Sequence, residues 1–333
     1  MHLVRQPFPR SGTDGCPRQP VSTRARVSVV HLVYEPYGIA VFEKFIQSYA
    51  SIPSGLAHRL IVLLKGFATE GETMEYRRRL DGYPCTCYRV ANRGFDIGSY
   101  MDAARAHPSD YYCFFNSRSR LLSDNWLEKL YSNLLVGGVG VVSATGSYES
   151  KYTDYLRSLR DAQSPACEPK RPSFFREVER FWNYPPFPNW HVRTNAFMLA
   201  ADTLGQLQSP PIRRRRDAAK FENGRLGMTR QLMSMGLDAV VVGKNGRGYK
   251  PEEWPSSNTY WQGEQENLLV ADNQTERYAN AGLEERRGLL AMAWTSDDSD
   301  LGASPSGVAR ILGSFVRTVR KVKPRKVNSL RVT

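Results

Sequence analysis

The sequence predicts an α/β protein, a mostly parallel sheet flanked by helices within a single large domain. Two observations lead to this prediction. Short apolar runs ending in polar residues recur five times between residues 27 and 144, and segments with apolar residues at helical spacing separate them. Strands that alternate with helices are typical of a parallel, doubly wound sheet. In such sheets ligands bind at the carboxyl ends of the strands, near a topological switch point.

The first half of the chain supplies these alternating elements in order. Runs rich in Val, Ile, Leu, Tyr and Phe predict strands, and apolar residues at three- and four-residue spacing predict helices. The last of the helices opens at a Ser/Asp cap. The expected strands are 27–34, 59–65, 85–90, 110–116 and 139–144, and the expected helices are 40–51, 71–80, a segment through 101–108, and 123–135.

The second half has a different character. Tyr, Arg, Pro and other aromatic residues are frequent in 147–190, which predicts helices and an aromatic loop. Later elements follow the same periodicity rules, and Gly236 ends the first of two further helices. They are a strand at 191–201, a helix at 221–236, a strand at 237–243, a loop at 249–273 and a final helix at 276–294.

Charge is distributed unevenly along the chain. The formal net charge is +13, from 46 Lys and Arg against 33 Asp and Glu. A basic leader, 1–26, and residues 302–333, the basic part of a linker and tail at 295–333, carry almost all of this excess, since 27–301 holds 33 cations and 32 anions. A nearly neutral body does not indicate a nucleic-acid-binding fold, which usually carries a basic face. A nucleic-acid partner would rest on the tail alone, and none is expected.

The tail also indicates where in the cell the protein is expected. Residues 308–331 interleave apolar residues with cations, so as a helix they would bind an anionic membrane surface; a disordered solubilising tail is the alternative. No apolar run reaches the roughly 18 residues that span a bilayer. The five cysteines are scattered, without a redox or zinc spacing. We therefore expect a cytoplasmic protein with reduced thiols, associated peripherally with the membrane.

Polar residues follow the third predicted strand. Asn92, Arg93 and Asp96 lie in a turn with Gly94 and Gly98, directly before a helix. Amide, guanidinium and carboxylate groups in such a turn suit the base and ribose of a nucleotide. A simple helix cap is the alternative interpretation.

The fourth strand ends in the triplet Asn116-Ser117-Arg118. An N-R-G-x-D-I-G turn, a helix and an apolar strand ending in a polar triplet resemble the GT-A fold of nucleotide-sugar glycosyltransferases. The closer resemblance is to glycosyltransferase family 2 and its rhamnan-synthesis-type relatives, and it covers roughly residues 27–294. In that family the triplet is Asp-x-Asp, which holds a divalent metal on the donor diphosphate.

This sequence departs from the family at the metal-binding triplet. Neither Asn116 nor Arg118 is a carboxylate, whereas Mg²⁺ or Mn²⁺ prefers anionic oxygen ligands. A metal cofactor is therefore disfavoured, although Mg²⁺ or Mn²⁺ stays an open alternative. Arg118 or Arg120 is expected to replace the metal on the diphosphate, with Ser117 beside them. The alternative is a site that has lost its chemistry and only binds.

The resemblance also implies roles for residues elsewhere in the chain. Family 2 enzymes place a catalytic carboxylate where an acidic motif opens a helix, which makes Glu222 the expected general base; a plain acidic helix start is the alternative. The remaining nucleotide-sugar contacts are assigned to Glu35, Lys65 and Arg247, the last in a glycine-rich loop that is otherwise a plain turn. Acceptor or sugar contacts are assigned to His191, Arg193, Asn195 and Trp261, of which the histidine and the tryptophan have structural alternatives.

These features imply an inverting glycosyltransferase. Residues 27–146 would bind the nucleotide, and 147–294 would form the acceptor and catalytic half of the same domain. The expected partners are a nucleotide-diphosphate sugar and a glycan or glycolipid acceptor of the cell surface. An inactive GT-A-like scaffold that binds sugars or a partner is the alternative.

Overall fold

The computed structural model describes residues 25–161 and 174–295. The predicted leader, apart from its last two residues, and the predicted membrane-binding segment 308–331 lie outside these ranges. Among the described residues, no helix has the length and apolar character needed to cross a membrane.

Strands and helices alternate through the first half of the chain, as predicted. The strands are β1 Val27–Tyr34, β2 Arg59–Lys65, β3 Cys85–Val90, β4 Tyr111–Phe115, β5 Arg120–Leu121, β6 Val139–Ser143, β7 Gly146–Ser147, β8 His191–Val192, β9 Ala196–Ala200, β10 Asp238–Val242, β11 Gly248–Tyr249 and β12 Val270–Ala271. The α-helices are α1 Ile39–Ser51, α2 Met74–Arg78, α3 Phe95–Ala106, α4 Trp126–Leu134, α5 Lys151–Asp161, α6 Phe174–Asn183, α7 Ala201–Gln206, α8 Arg215–Asn223, α9 Met228–Ser234, α10 Asn273–Asn280 and α11 Leu283–Trp294. Short 3₁₀ helices cover Glu35–Tyr37, Gly71–Thr73 and Pro251–Ser256.

Eight strands form the central sheet, in the order β11-β10-β6-β9-β4-β1-β2-β3. Only β9 and β11 run antiparallel to their neighbours, so the predicted mostly parallel α/β fold is confirmed. The chain builds β1, β2 and β3 outward on one side and then returns to place β4 on the other side of β1. This reversal is the topological switch point, where open α/β sheets bind ligands.

Both faces of the sheet are covered, which explains the continuous apolar strands. Successive residues of β1 alternate between two cores, Val29 and Val33 facing one and Val30 and Leu32 the other. Helices α1, α2 and α4 cover the first face. Helices α3, α8, α9 and α11 cover the second.

His31, in the middle of β1, belongs to the first core. Its ring is fully buried and stacks on Phe45 with centroids 3.5 Å apart. Burial lowers its pKa to about 3, so the imidazole is neutral and packs as an aromatic ring.

The predicted strand at 191–201 was wrong as a single element. It divides into β8 and β9, with a turn at 194–195 between them. The first part pairs with β7 in a small separate sheet, while the second enters the main sheet between β4 and β6. His191, Arg193 and Asn195 therefore do not share one strand face.

Two predicted helices were also wrong in their bounds. The helix at 221–236 is interrupted at Gly224, where a Cβ atom would lie 2.4 Å from the Lys220 carbonyl oxygen, and a new helix begins at Met228. Glu222 accordingly lies in the last turn of α8, and does not open a helix. The helix at 276–294 divides at 281–282, with Asp272 capping its first part.

Candidate functional site

A cleft of about 710 Å³ opens at the carboxyl ends of β1, β2 and β3. Tyr34, Lys65 and Val90, the last residues of these strands, are aligned in register, so their exits lie level with one another. Helix α8 and the start of α5 form the opposite wall. The cleft is lined by Tyr34, Tyr37, Lys65, Asn92, Arg93, Gly94, Phe95, Asp96, Lys151, Arg213, Arg215, Ala218, Ala219 and Glu222.

Lys65 fixes the turn after β3 by three hydrogen bonds. Its ammonium donates to the carbonyl oxygens of Arg93, at 2.8 Å, and Phe95, and to Ser99 Oγ at 3.0 Å. The side chain is buried, and burial lowers its pKa while two nearby aspartates oppose the shift. Since all three ammonium protons are used inside the protein, Lys65 positions the turn that it borders.

Glycines allow this turn to close tightly. Gly94 has φ +73°, in the left-handed region, and a Cβ atom there would lie 3.0 Å from Gly98 Cα. The resulting loop leaves the side chains of Asn92 and Arg93 exposed at the cleft. The predicted base-and-ribose residues therefore reach the cleft together.

Two carboxyl groups face the cleft from opposite sides. Glu222, on α8, accepts a hydrogen bond from Thr194 Oγ1 at 2.8 Å. Burial raises its pKa, as does the charge of Asp96, while the Thr194 hydroxyl opposes the rise. Burial also raises the pKa of Asp96, against the Lys65 ammonium. A carboxylate held by one hydrogen bond, with an elevated pKa, has the properties of a general base.

Three cations complete the walls of the cleft. Lys151, Arg213 and Arg215 line it from α5 and from the segment that enters α8. Burial lowers the pKa of Lys151, and the Glu222 carboxylate is the strongest influence in the opposite direction. Together with Arg93 and Lys65, these residues give the cleft five cations against two carboxyl groups.

The cations of this wall were not predicted from the sequence. The signal for Arg213 and Arg215 is the run of four arginines at 213–216. Averaging charge over residues 27–301 concealed this run, because acidic residues elsewhere in the body balance it. Like-charged runs need to be examined one by one.

The turn after β4 closes on itself. Asn116 Oδ1 accepts hydrogen bonds from the Arg118 backbone N–H at 2.9 Å and from Ser119 Oγ at 3.1 Å. Ser117 is buried beside them. The guanidinium of Arg118 points outward and lies 4.0 Å from the centre of the Tyr37 ring, a residue of the cleft wall. Arg118 thus reaches the border of the cleft.

The residues of this turn do not fit a divalent metal. The side-chain oxygen of Asn116 is occupied by the turn's own donors, and Arg118 adds a positive charge where Mg²⁺ or Mn²⁺ requires anionic oxygens. In residues 25–161 and 174–295, no three His, Cys, Asp or Glu side chains group together in a way that could hold a metal ion.

Four predicted contact residues lie elsewhere. The charge of Glu35 acts on Tyr76, whose pKa it helps to raise. Arg247 pairs with Glu253 at 2.5 Å, and Arg120 lies 3.6 Å from a carboxylate of α10. Trp261 is fully buried, with its indole N–H donated to a backbone carbonyl of α10. None of the four lines the cleft.

The predicted acceptor residues do not line the cleft but pack beside the turn that carries Thr194. They are His191, Arg193 and Asn195. The Nδ1 of His191 lies 2.8 Å from a backbone carbonyl oxygen, and burial lowers the pKa of this histidine to about 4. Arg193 pairs with buried Asp272 at 2.9 Å. Asn195 accepts a hydrogen bond from Thr145 at 2.7 Å. These contacts fix the turn that presents Thr194 to Glu222, a role that the sequence did not indicate.

Comparison with known proteins gives structural likeness only. No protein-family model matches the sequence, and no curated protein matches it. The structure is similar to that of a mannosyltransferase from Pyrobaculum calidifontis in complex with GDP-Man and Mn²⁺, with 14% identity and a TM-score of 0.44 over 90% of this chain and 81% of that one.

Two further solved structures are similar over shorter lengths. Core-mannan synthase A from Aspergillus fumigatus, in its Mn/GDP form, shows 11% identity and a TM-score of 0.35 over 66% of this chain and 72% of that one. Glucosyl-3-phosphoglycerate synthase from Mycobacterium tuberculosis, in complex with UDP, shows 15% identity and a TM-score of 0.33 over 63% and 64%. The function of this protein therefore rests on the chemistry of its own cleft.

Proposed function

We propose that this protein is a GT-A-type glycosyltransferase that moves a sugar from a nucleotide-diphosphate sugar to a hydroxyl acceptor. The observation that carries the proposal is the cleft at the switch point of the sheet, where cations and the carboxyl group of Glu222 face one another. Its volume, about 710 Å³, lies within the range of small-molecule and cofactor sites. The closeness to family 2, an inverting outcome and a cell-surface acceptor are parts of the same proposal.

The donor occupies the cleft with its nucleotide on the turn after β3. Asn92, Arg93 and Asp96 offer hydrogen bonds to the base and ribose. Arg213 and Arg215, in the segment that enters α8 and at its first residue, face the diphosphate, because guanidinium groups bind phosphate oxygens in pairs. Arg118, held over Tyr37 at the border, stabilises the charge that develops on the leaving diphosphate.

Transfer proceeds by direct displacement at the anomeric carbon. The acceptor oxygen forms the new bond to this carbon while the bond from carbon to the diphosphate oxygen breaks, and its electron pair leaves with the diphosphate. The acceptor proton passes to Glu222, because burial raises the pKa of this carboxyl group and makes it a stronger base than an exposed glutamate. Thr194 orients the carboxylate. Arginines offset the leaving-group charge, so no metal is required.

The glutamate assignment is tested by Glu222→Gln. With the nucleoside diphosphate that binds best in a titration of UDP, GDP, CDP and dTDP, donor turnover should fall by about 10² to 10⁴-fold. Affinity for the nucleoside diphosphate should change by less than about two-fold, since the glutamine keeps the shape of the wall.

A matched control is Glu284→Gln, at an exposed position of α11, which should leave turnover unchanged. Failure of every nucleoside diphosphate to bind would contradict the proposal. Binding without turnover of any donor would instead support the scaffold alternative.

The predicted cytoplasmic location and peripheral membrane association stay proposals. The membrane association is checked by liposome co-sedimentation with and without residues 302–333.

A further inference from the structure

A second cleft, of about 890 Å³, adjoins the first. It lies between α5, α6 and the start of α8, and it shares Lys151, Arg215 and Ala219 with the first cleft. A molecule bound in this second cleft therefore lies next to whatever occupies the first, on the side of Glu222.

Cations dominate the second cleft. Its walls contain five of them and a single carboxyl group, that of Asp154. The cations are Lys151, Arg176, Arg180, Arg215 and Arg216. Among the described residues, only Arg216 of the four arginines has a carboxylate within 4.0 Å, that of Glu179 at 3.9 Å.

The cleft is organised around one aromatic ring. Tyr184 has Lys151 Nζ at 5.4 Å and the Arg180 guanidinium at 5.6 Å from its ring centre. These contacts bring two cations from different helices to one wall. Burial raises the pKa of Asp154 to about 7, so its carboxyl group is largely neutral below that pH and about half ionised at neutral pH.

We propose that the second cleft binds the acceptor through a phosphate group, so that the acceptor is a hydroxyl compound carrying a phosphate monoester or diphosphate. Guanidinium groups without carboxylate partners match the charge and the paired oxygens of phosphate. Because Lys151 borders both clefts, an acceptor phosphate between Arg176 and Arg180 directs the rest of the molecule towards Glu222. The inference rests on the proposed function, since it names the acceptor class for that reaction.

The binding test uses the full chain with inorganic pyrophosphate as the probe, after a nucleoside diphosphate has saturated the first cleft. In a calorimetric titration, Arg176→Ala/Arg180→Ala should bind pyrophosphate about tenfold or more weakly than the wild type. Its affinity for the nucleoside diphosphate should stay within about two-fold. Arg78→Ala is the matched control, because Arg78 is an exposed arginine of α2, on the opposite face of the sheet.

Unchanged pyrophosphate affinity in the double variant would overturn the inference. A wild type that binds no nucleoside diphosphate would instead overturn the proposed function, so the two failures are distinguishable. If the double variant does not fold, Arg176→Lys/Arg180→Lys is measured in its place. It keeps both charges but loses the paired guanidinium donors, so pyrophosphate should bind severalfold more weakly than to the wild type, and wild-type affinity there would overturn the inference.

A transfer assay distinguishes the sources of the phosphate. One arm offers soluble sugar phosphates, the other prenyl phosphate sugars in detergent micelles, each beside its dephosphorylated counterpart. Preference for the phosphorylated compound in either arm supports the inference and identifies the source. Equal transfer to the dephosphorylated compounds in both arms would contradict it.

Discussion

The turns after β3 and β4 both lie at the carboxyl edge of the sheet, with the ends of β1 and β2 between them, but they are stabilised in opposite ways. The turn after β3 is held from below by Lys65, which leaves the side chains of Asn92 and Arg93 directed to the cleft. The turn after β4 is held by its own side chain, Asn116, which leaves only the guanidinium of Arg118 near the cleft.

The difference shows how binding groups can be redistributed within one fold. In the family that the sequence resembles, the second turn supplies carboxylates for a metal. Here that turn supplies a cation, and further cations enter from α5 and from the run 213–216. Under the proposed function, arginines on the surrounding walls would take the role that a metal on one turn has in that family.

Removal of Lys65 should have the largest effect on stability. Lys65→Met removes three hydrogen bonds from a buried ammonium group, although the Phe95 carbonyl oxygen keeps a second donor in Ser99 Oγ. The free energy of unfolding should therefore fall by about 1 to 3 kcal/mol. Nucleoside diphosphate binding should weaken as the turn after β3 loses its support. Urea unfolding and calorimetry measure the two effects.

The control for Lys65 is Lys44→Met, at an exposed position of α1, which should change neither the stability nor the binding. Equal stability of Lys65→Met and the wild type would mean that the turn after β3 holds itself, as the turn after β4 does.

Replacement of Arg118 tests the second turn. Arg118→Ala should lower turnover by about tenfold, because one charge near the leaving diphosphate is lost at an exposed position. Arg120→Ala, two residues on and facing α10, should keep wild-type turnover. Similar losses of turnover in both variants would mean that the effect comes from the net positive charge of this region and not from the position of Arg118. Steady-state kinetics at saturating donor make the comparison.

The smallest effect concerns pH. A general base acts when ionised, so the rate should fall as pH decreases through the pKa of Glu222. This pKa is higher than that of an ordinary glutamate. Asp96 contributes to this raised pKa through its charge. Asp96→Asn should therefore move the acid limb of the rate profile to lower pH, at saturating donor. An acid limb at the same pH as in the wild type would mean that the charge of Asp96 does not influence the group that titrates in the reaction.

Much of this layout follows from the sequence. Apolar runs in strict alternation with helices predicted the sheet, and the polar residues after β3 predicted one wall of the cleft, because strand exits meet at the same edge. Glu222 was found through its place in a family motif, although its helix was assigned with the wrong bounds. Backbone packing at Gly224 decides where α8 ends, and a helical pattern does not report such contacts.

Other features depend on distant contacts. Lys65 resembles a ligand-binding cation in the sequence, and only its three acceptors identify it as a positioning residue. Lys151 enters the site because the start of α5 lines the same cleft as α8, which lies more than 60 residues further along the chain. Trp261 lies in an aromatic and acidic segment that suits carbohydrate, yet the ring is needed for packing.

The central claim is that arginines, without a metal, hold the donor diphosphate. Calorimetric titration of the best-binding nucleoside diphosphate, with EDTA or with Mn²⁺, tests it directly in the wild type and in Arg213→Ala/Arg215→Ala. The account predicts a wild-type dissociation constant that EDTA changes by less than about two-fold, and a loss of about tenfold or more in the double variant. Binding that disappears in EDTA, with the double variant equal to the wild type, would contradict it.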